Sequence, residues 1–163
     1  MGIYLCGFMG CGKSTVSVLL AKSLGCRCCD TDELIVEREG MDIPSIFEKY
    51  GEKYFRQAET KLLCDMADFK GVAACGGGMM LSEENASIAN KNGRVVFIDT
   101  PFEECYERIS GDGNRPIAAS KTKEELKALF DERYPLYMKN SAFSVSGESS
   151  PMSIAKNIAK LVK

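Results

Sequence analysis

Short apolar runs separated by polar, turn-rich stretches set the rhythm of the chain. They fall at Ile3 to Cys6, Cys26 to Cys29, Val72 to Cys75, Val95 to Ile98 and Phe143 to Val145. Each is too short for a helix and sits between turn signals, which predicts five buried parallel strands. Between the first two, Val16, Leu19, Leu20 and Leu24 recur at helical spacing and Gly25 follows at a C-terminal cap position. That is the start of a strand–helix–strand unit. Further on, Leu126, Leu129 and Phe130 share one helix face, and Ile154, Ile158, Leu161 and Val162 share another; both faces are predicted core. Thr100, Pro101 and Glu103 read as a helix opening with a capping hydroxyl, a proline at the first helical position and a carboxylate three residues after the cap, and Thr122 to Glu125 reads as a second opening. Strands alternating with helices predict a three-layer α/β/α fold with a mainly parallel sheet, in which ligands bind beyond the carboxyl ends of the strands.

The chain of 163 residues fits one domain spanning its full length, because single cores commonly hold about 100–200 residues. With 21 Lys plus Arg against 23 Asp plus Glu, the net charge of −2 supplies no strong basic field, so neither nucleic acid nor a membrane surface is an expected partner. No apolar run reaches the roughly 18–20 residues of a membrane span. The first strand begins at Ile3, too early for a removable signal sequence, and a cytoplasmic location is expected. In that reducing compartment the 8 cysteines are expected as buried small hydrophobes rather than disulfides. Histidine is absent. That excludes imidazole triads, imidazole-ligated zinc and imidazole proton shuttles, and leaves acid–base work to carboxylates, Lys or Tyr.

Gly7-Phe8-Met9-Gly10-Cys11-Gly12-Lys13-Ser14 fits the pattern G-x-x-x-x-G-K-[ST], directly after a predicted strand and before a predicted helix. Glycines let consecutive backbone N–H groups turn inward around phosphate oxygens, and the helix that follows points its positive end at them. Gly10, Cys11, Gly12, Lys13, Ser14 and Thr15 are therefore candidate contacts to a nucleoside triphosphate. Lys13 adds a mobile point charge, and the Ser14 hydroxyl suits magnesium. A switch GTPase would carry N-K-x-D for its base; Asn90-Lys91-Asn92 is the nearest approach and lacks the acid.

Asp30-Thr31-Asp32 closes the second strand and puts two carboxylates near the phosphate loop, one suited to magnesium and one to an acceptor; either equally suits a cap of the next helix. From here the chain resembles the shikimate kinases. The resemblance is carried by Gly7 to Thr15, Asp30 to Asp32, I-P-S-I-F at Ile43 to Phe47, G-E-K-Y-F-R-Q-A-E at Gly51 to Glu59, Gly76 to Gly78, Asn114 to Pro116 and R-Y-P-L-Y at Arg133 to Tyr137, in order along nearly the whole chain. It implies a nucleoside-monophosphate-kinase-like P-loop fold with substrate-binding helices over about residues 31–60 and a lid over about 110–121. It further implies ATP-dependent phosphorylation of the 3-hydroxyl of shikimate, in the pathway to chorismate and the aromatic amino acids.

The same resemblance makes Arg56 and Arg133 the grips on the substrate carboxylate, a role that suits the planar guanidinium fork. Taken alone, Arg56 equally suits a surface ion pair with Glu59 three residues on. Asp32 is implied to hold the ring hydroxyls and orient or deprotonate the attacking one, and an amide of Gly77 or Gly78 to meet a ring hydroxyl. Lys13, Asp32 and Arg115 form the implied catalytic set, with Arg115 swinging onto the transferring phosphoryl group from the lid. Arg108 and Pro151 are implied neighbours of the adenine, although Arg108 also suits simple exposure and Pro151 a helix start. One magnesium ion with ATP, held by Ser14 and by Asp30 directly or through water, completes the cofactor set.

Two departures matter. Val95 to Asp99 has the form of a Walker B strand, but the family does not use this acid for magnesium, so Asp99 is expected to be a decoy. The third strand, Val72-Ala73-Ala74-Cys75, offers no acid at all. Cys11 reads as a small residue at an unconstrained loop position. A monomer is expected. Kinases of the same fold acting on gluconate or a nucleoside monophosphate, and a regulatory module that binds nucleotide without transfer, are the competing readings.

Overall fold

The structure is a computed structural model that describes residues 1–111 and 120–163. Five parallel strands stand in the order β2-β3-β1-β4-β5. They are β1 (Gly2–Cys6), β2 (Arg27–Asp30), β3 (Gly71–Ala74), β4 (Gly93–Asp99) and β5 (Phe143–Ser146). The connecting helices are α1 (Lys13–Leu24), α2 (Thr31–Glu39), α3 (Ile43–Asp65), α4 (Glu83–Asn92), α5 (Phe102–Ser110), α6 (Lys123–Asn140) and α7 (Pro151–Leu161), with a 3₁₀ turn at Met79–Leu81.

The connections decide which face each helix covers. From β1 the chain crosses leftward over β3 to β2, while from β3 it crosses rightward over β1 to β4. Right-handed crossovers then put α1 and α4 on opposite faces. Contacts agree: α1 lies against β1, β2, β3 and α7, whereas α4 lies against β1, β4, α3 and α6. The direction of winding reverses between β1 and β3, the switch point at which open α/β sheets bind ligands. Register brings the two carboxyl ends level, with Leu5 opposite Ala74. The phosphate loop leaves one and Gly76 to Gly78 the other.

Every residue of β1 is buried, as expected of a central strand. β2 departs from the expectation of a buried strand. It lies at the sheet edge, with Arg27 and Cys28 exposed, because strand order is not written in the apolar run itself. The cysteines divide similarly. Cys6, Cys11, Cys75 and Cys105 are buried, Cys28 and Cys64 are exposed, and all eight are free thiols. On α7 the core face is Ile154, Ala155, Ile158 and Ala159, while Leu161 is turned to solvent.

The two predicted helix openings behave differently. At Thr122 a full capping box forms, with Thr122 Oγ1 accepting from Glu125 N at 3.2 Å and Glu125 Oε2 accepting from Thr122 N at 2.8 Å. At Thr100 no cap forms. Pro101 occupies the cap position, one residue earlier in the helix than expected, and the buried Thr100 hydroxyl donates to the Cys11 carbonyl at 3.1 Å, tying β4 to the phosphate loop.

Gly51 breaks α3 at φ 83°, ψ 169°, a region essentially reserved for glycine, and kinks the helix. A β-carbon there would meet nothing within 4 Å, so its substitution isolates backbone strain. Gly51→Ala is expected to lower stability by about 1–3 kcal/mol, read as a shift of the urea midpoint at constant slope. Gly40→Ala, at a left-handed helix end (φ 68°) with equally open space, is expected to cost roughly 1 kcal/mol. Equal and negligible losses at both positions would contradict this reading of the kink.

Candidate active site

The phosphate loop is shaped by three glycines with positive φ: Gly7 (149°), Gly10 (81°) and Gly12 (99°). At Gly10 a β-carbon would stand 2.7 Å from the Cys105 carbonyl oxygen, so the loop packs directly on α5. Lys13 opens α1 and folds back, its ammonium donating to the carbonyls of Gly7 at 2.8 Å and Phe8 at 3.2 Å. Ser14 and Thr15 stand exposed on the first turn of α1, where the helix end carries positive partial charge. Cys11 is 1% exposed and packs beneath the loop, with Lys13 Nζ 3.6 Å from its sulfur.

Arg108 reaches the loop from α5. Its Nη1 donates to the Gly10 carbonyl at 2.9 Å, and Glu104 lies 3.6 Å from Nη2. It is therefore not simply solvated. Pro151 sits in the first turn of α7 behind Ser150, which caps the Ser153 amide at 3.3 Å. Arg115 and most of the expected lid lie outside the described residues.

Asp30-Thr31-Asp32 performs three separate tasks. Asp30 caps α2, its Oδ1 accepting from Asp32 N at 2.8 Å and Glu33 N at 3.3 Å, which leaves Oδ2 outside the cap. Thr31 is fully buried and its hydroxyl accepts the Gly76 amide at 2.9 Å, fastening the end of β3 to α2. Asp32 projects onto Gly76, so closely that a β-carbon on that glycine would overlap its carboxylate.

Gly78 repeats the overlap, whereas Gly77 has its neighbour at ordinary contact distance. A β-carbon on Gly77 would lie 3.6 Å from Arg133 Nη1, and one on Gly78 would fall 2.6 Å from Arg56 Nη2, inside contact distance. Three consecutive residues without side chains thus receive one acid and two guanidinium groups from α2, α6 and α3. Among the described residues the N–H groups of Gly77 and Gly78 have no partner in the protein, while the Gly76 and Gly78 carbonyls accept from Met79 N and Leu81 N. The structure therefore gathers the sequence-derived acceptor residues Asp32, Arg56, Arg133, Gly77 and Gly78 in one place. A groove of about 860 Å³ runs outward from Arg56, Gly78 and Arg133 between α3 and α6; Asp32 and Lys13 do not line it.

Electrostatics follow from burial. Desolvation pushes Asp32 from its ordinary 3.8 up to about 6, the charge of Asp30 adding to the rise and Lys13 and Arg56 opposing it. Glu59 corrects one expectation. Its pair with Arg56 is not a surface bridge: Glu59 is 1% exposed, its Oε2 accepts from Arg56 Nη1 at 2.9 Å and its Oε1 has no partner among the described residues. Burial lifts its carboxyl to about 7 against the attraction of Arg56. The signal was present in the sequence, since Phe55, Glu59, Leu62 and Leu63 share the inner face of α3. The Asp99 carboxylate accepts the Tyr134 hydroxyl at 2.9 Å.

Fold and loop together define a P-loop phosphotransferase architecture. A deoxyadenosine kinase from M. mycoides, 17% identical with a TM-score of 0.67 over 99% of this chain and 98% of its own, shares the fold. The shikimate kinase family model matches residues 9–163. A shikimate kinase of Aquifex aeolicus is 43% identical over 97% of this chain and 94% of its own length. The structure of Acinetobacter baumannii shikimate kinase in complex with shikimate superposes with a TM-score of 0.90 at 35% identity, covering 99% of this chain and 92% of that one. This chain belongs to the shikimate kinase family.

The raised acid gives a signed expectation. Between about pH 4 and 6, the interval bounded by the ordinary and the shifted Asp32 values, the folded protein holds more of this proton than the unfolded chain, so stability falls as pH rises through it. Asp32→Asn removes that loss. The variant is expected to be more stable than the parent at about pH 8, to lose the advantage near pH 4, and to lose phosphoryl transfer by roughly a hundredfold or more. Denaturant titrations across pH check the first part and turnover the second. A stability difference independent of pH would contradict the assignment of Asp32 as the desolvated acid.

Proposed function

We propose that this protein transfers the γ-phosphoryl group of ATP to the 3-hydroxyl of shikimate, giving ADP and shikimate 3-phosphate. The observation that carries the proposal is the convergence of Asp32, Arg133 and Arg56 on Gly76 to Gly78, at the same switch point as the phosphate loop. A hydroxylated ring with one carboxylate matches that set. Arg56 and Arg133 present planar donors to the carboxylate, the unpartnered amides of Gly77 and Gly78 offer donors to a ring hydroxyl, and Asp32 accepts from the attacking hydroxyl.

In the transfer, the hydroxyl oxygen bonds to the γ-phosphorus as the bond to the β-bridging oxygen breaks. The hydroxyl proton passes to Asp32 and ADP departs. The transition state is loose, so holding the nucleophile in line matters more than base strength. A carboxylate with a value of about 6 is ionised at neutral pH and still able to take a proton. Lys13 moves from loop carbonyls to phosphate oxygens, and the loop amides with the α1 N-terminus take the remaining charge. We assign Arg115 to the transferring group and Arg108, held at Gly10, to the base side together with Pro151. Magnesium suits the Ser14 hydroxyl and Asp30 Oδ2, both hard oxygen ligands. Bound with ATP it supplies neutralisation of phosphate charge. A monomer belongs to the same proposal. Among the described residues no helix is long and apolar enough to cross a membrane, and a cytoplasmic location belongs to the same proposal.

Coupled ADP release with shikimate, gluconate and nucleoside monophosphates at matched concentration tests the reading. Shikimate is expected to exceed the others by roughly a hundredfold or more in kcat/KM, because the open-chain gluconate and the bulkier, phosphate-bearing nucleotides cannot place a carboxylate on Arg56 and Arg133 and a ring hydroxyl at Asp32 together. Comparable turnover with gluconate or a monophosphate, or ATP binding without acceptor-stimulated turnover, would overturn it.

A further inference from the structure

Tyr137 is buried on α6, one turn beyond Arg133. Its ring stacks on Phe97 of β4 at 5.3 Å and 25°. Its hydroxyl donates to the Gly77 carbonyl at 2.5 Å, joining residues sixty positions apart. In a trans peptide the carbonyl and the next N–H point in opposite directions within one plane. Fixing the Gly77 carbonyl therefore fixes the direction of the Gly78 N–H, one of the two amides of the turn without a partner among the described residues. Glycines on both sides of that peptide offer no side chain to resist its rotation, so the restraint has to come from elsewhere.

The rest of the turn is held in the same way. Thr31 holds the Gly76 amide, Asn85 Nδ2 donates to the Met79 carbonyl at 2.9 Å, and Asn140 Nδ2 donates to the Met80 carbonyl at 2.8 Å. Of these contacts, Tyr137 alone grips the Gly77–Gly78 peptide. It is also the residue one helical turn from Arg133, whose Nη1 lies at Gly77. Burial raises the value of its phenol, so the hydroxyl remains a donor at any working pH.

We propose that Tyr137 is a positioning residue of the acceptor site: its hydroxyl orients the Gly77–Gly78 peptide and keeps it in register with Arg133. The inference rests on the proposed shikimate reaction, and it assigns Tyr137 no contact with substrate.

Tyr137→Phe keeps the ring stack and removes the hydroxyl. Its KM for shikimate is expected to rise roughly fivefold or more while KM for ATP stays within about twofold. Tyr134→Phe, on the same helix but bonded to Asp99, is expected to lower stability with the shikimate KM unchanged. An unchanged shikimate KM in Tyr137→Phe, or equal rises in both KM values, would overturn the proposal. Hydrogen exchange separates this inference from the reaction it rests on. The Met79 and Leu81 amides, bonded to Gly76 and Gly78, are expected to exchange roughly tenfold faster in Tyr137→Phe while those of β1 stay unchanged. If the parent protein fails to phosphorylate shikimate, the reaction assignment falls and exchange alone decides the role of Tyr137: faster exchange supports it, and unaltered exchange refutes it.

Discussion

The proposed acceptor site depends on a strip without side chains, and at two of its positions on absent β-carbons. Gly76, Gly77 and Gly78 leave the end of β3 bare, and Asp32, Arg133 and Arg56 close onto that bare strip from three helices. A β-carbon on Gly76 or Gly78 would overlap the Asp32 carboxylate or the Arg56 guanidinium, while one on Gly77 would stand in ordinary contact with Arg133. The sheet places the strip correctly because β3 lies between β1 and β2 with Ala74 level with Leu5 and Asp30. Phosphate loop, acidic helix start and glycine turn thus emerge side by side from adjacent strand ends.

Such a site is expensive in stability. Two carboxyls, Asp32 and Glu59, are buried far enough to be lifted to about 6 and about 7. Each resists ionisation that the arginines and Lys13 only partly restore. The glycine turn compounds the problem, since its backbone polar groups lie away from bulk water and need partners. Thr31, Asn85, Tyr137 and Asn140 meet that need from α2, α4 and α6, so the turn is held by side chains while, among the described residues, the Gly77 and Gly78 amides have no partner. Two of the helices that carry charge to the turn, α2 and α6, also carry groups that hold it still.

The sequence made the phosphate loop legible because its chemistry is contiguous: eight residues between a strand and a helix contain the whole device. Asp32, Arg56 and Arg133 were reachable only through ordered motif resemblance, since nothing local says that a carboxylate at the end of β2 meets arginines from α3 and α6. Glu59 was underestimated because an i,i+3 spacing describes a surface pair equally well, and only the apolar residues around it on α3 reveal the burial. Thr100 and Thr122 share one helix-opening signature but differ in outcome, because the Cys11 carbonyl competes for the first hydroxyl across the core. Tyr137 and Gly77 are too far apart in the chain for pattern reading to pair them, and the edge position of β2 depended on a strand order that apolar runs do not encode.

The most direct measurement of the central claim replaces one missing β-carbon. In Gly78→Ala the new methyl meets the far end of the Arg56 side chain, which can swing aside, so the fold should survive. The variant is expected to unfold cooperatively at a somewhat lower temperature than the parent, because Glu59 loses its Arg56 partner, with ATP affinity within about twofold and shikimate affinity reduced roughly tenfold or more. Unchanged shikimate affinity in a folded Gly78→Ala protein would contradict that claim.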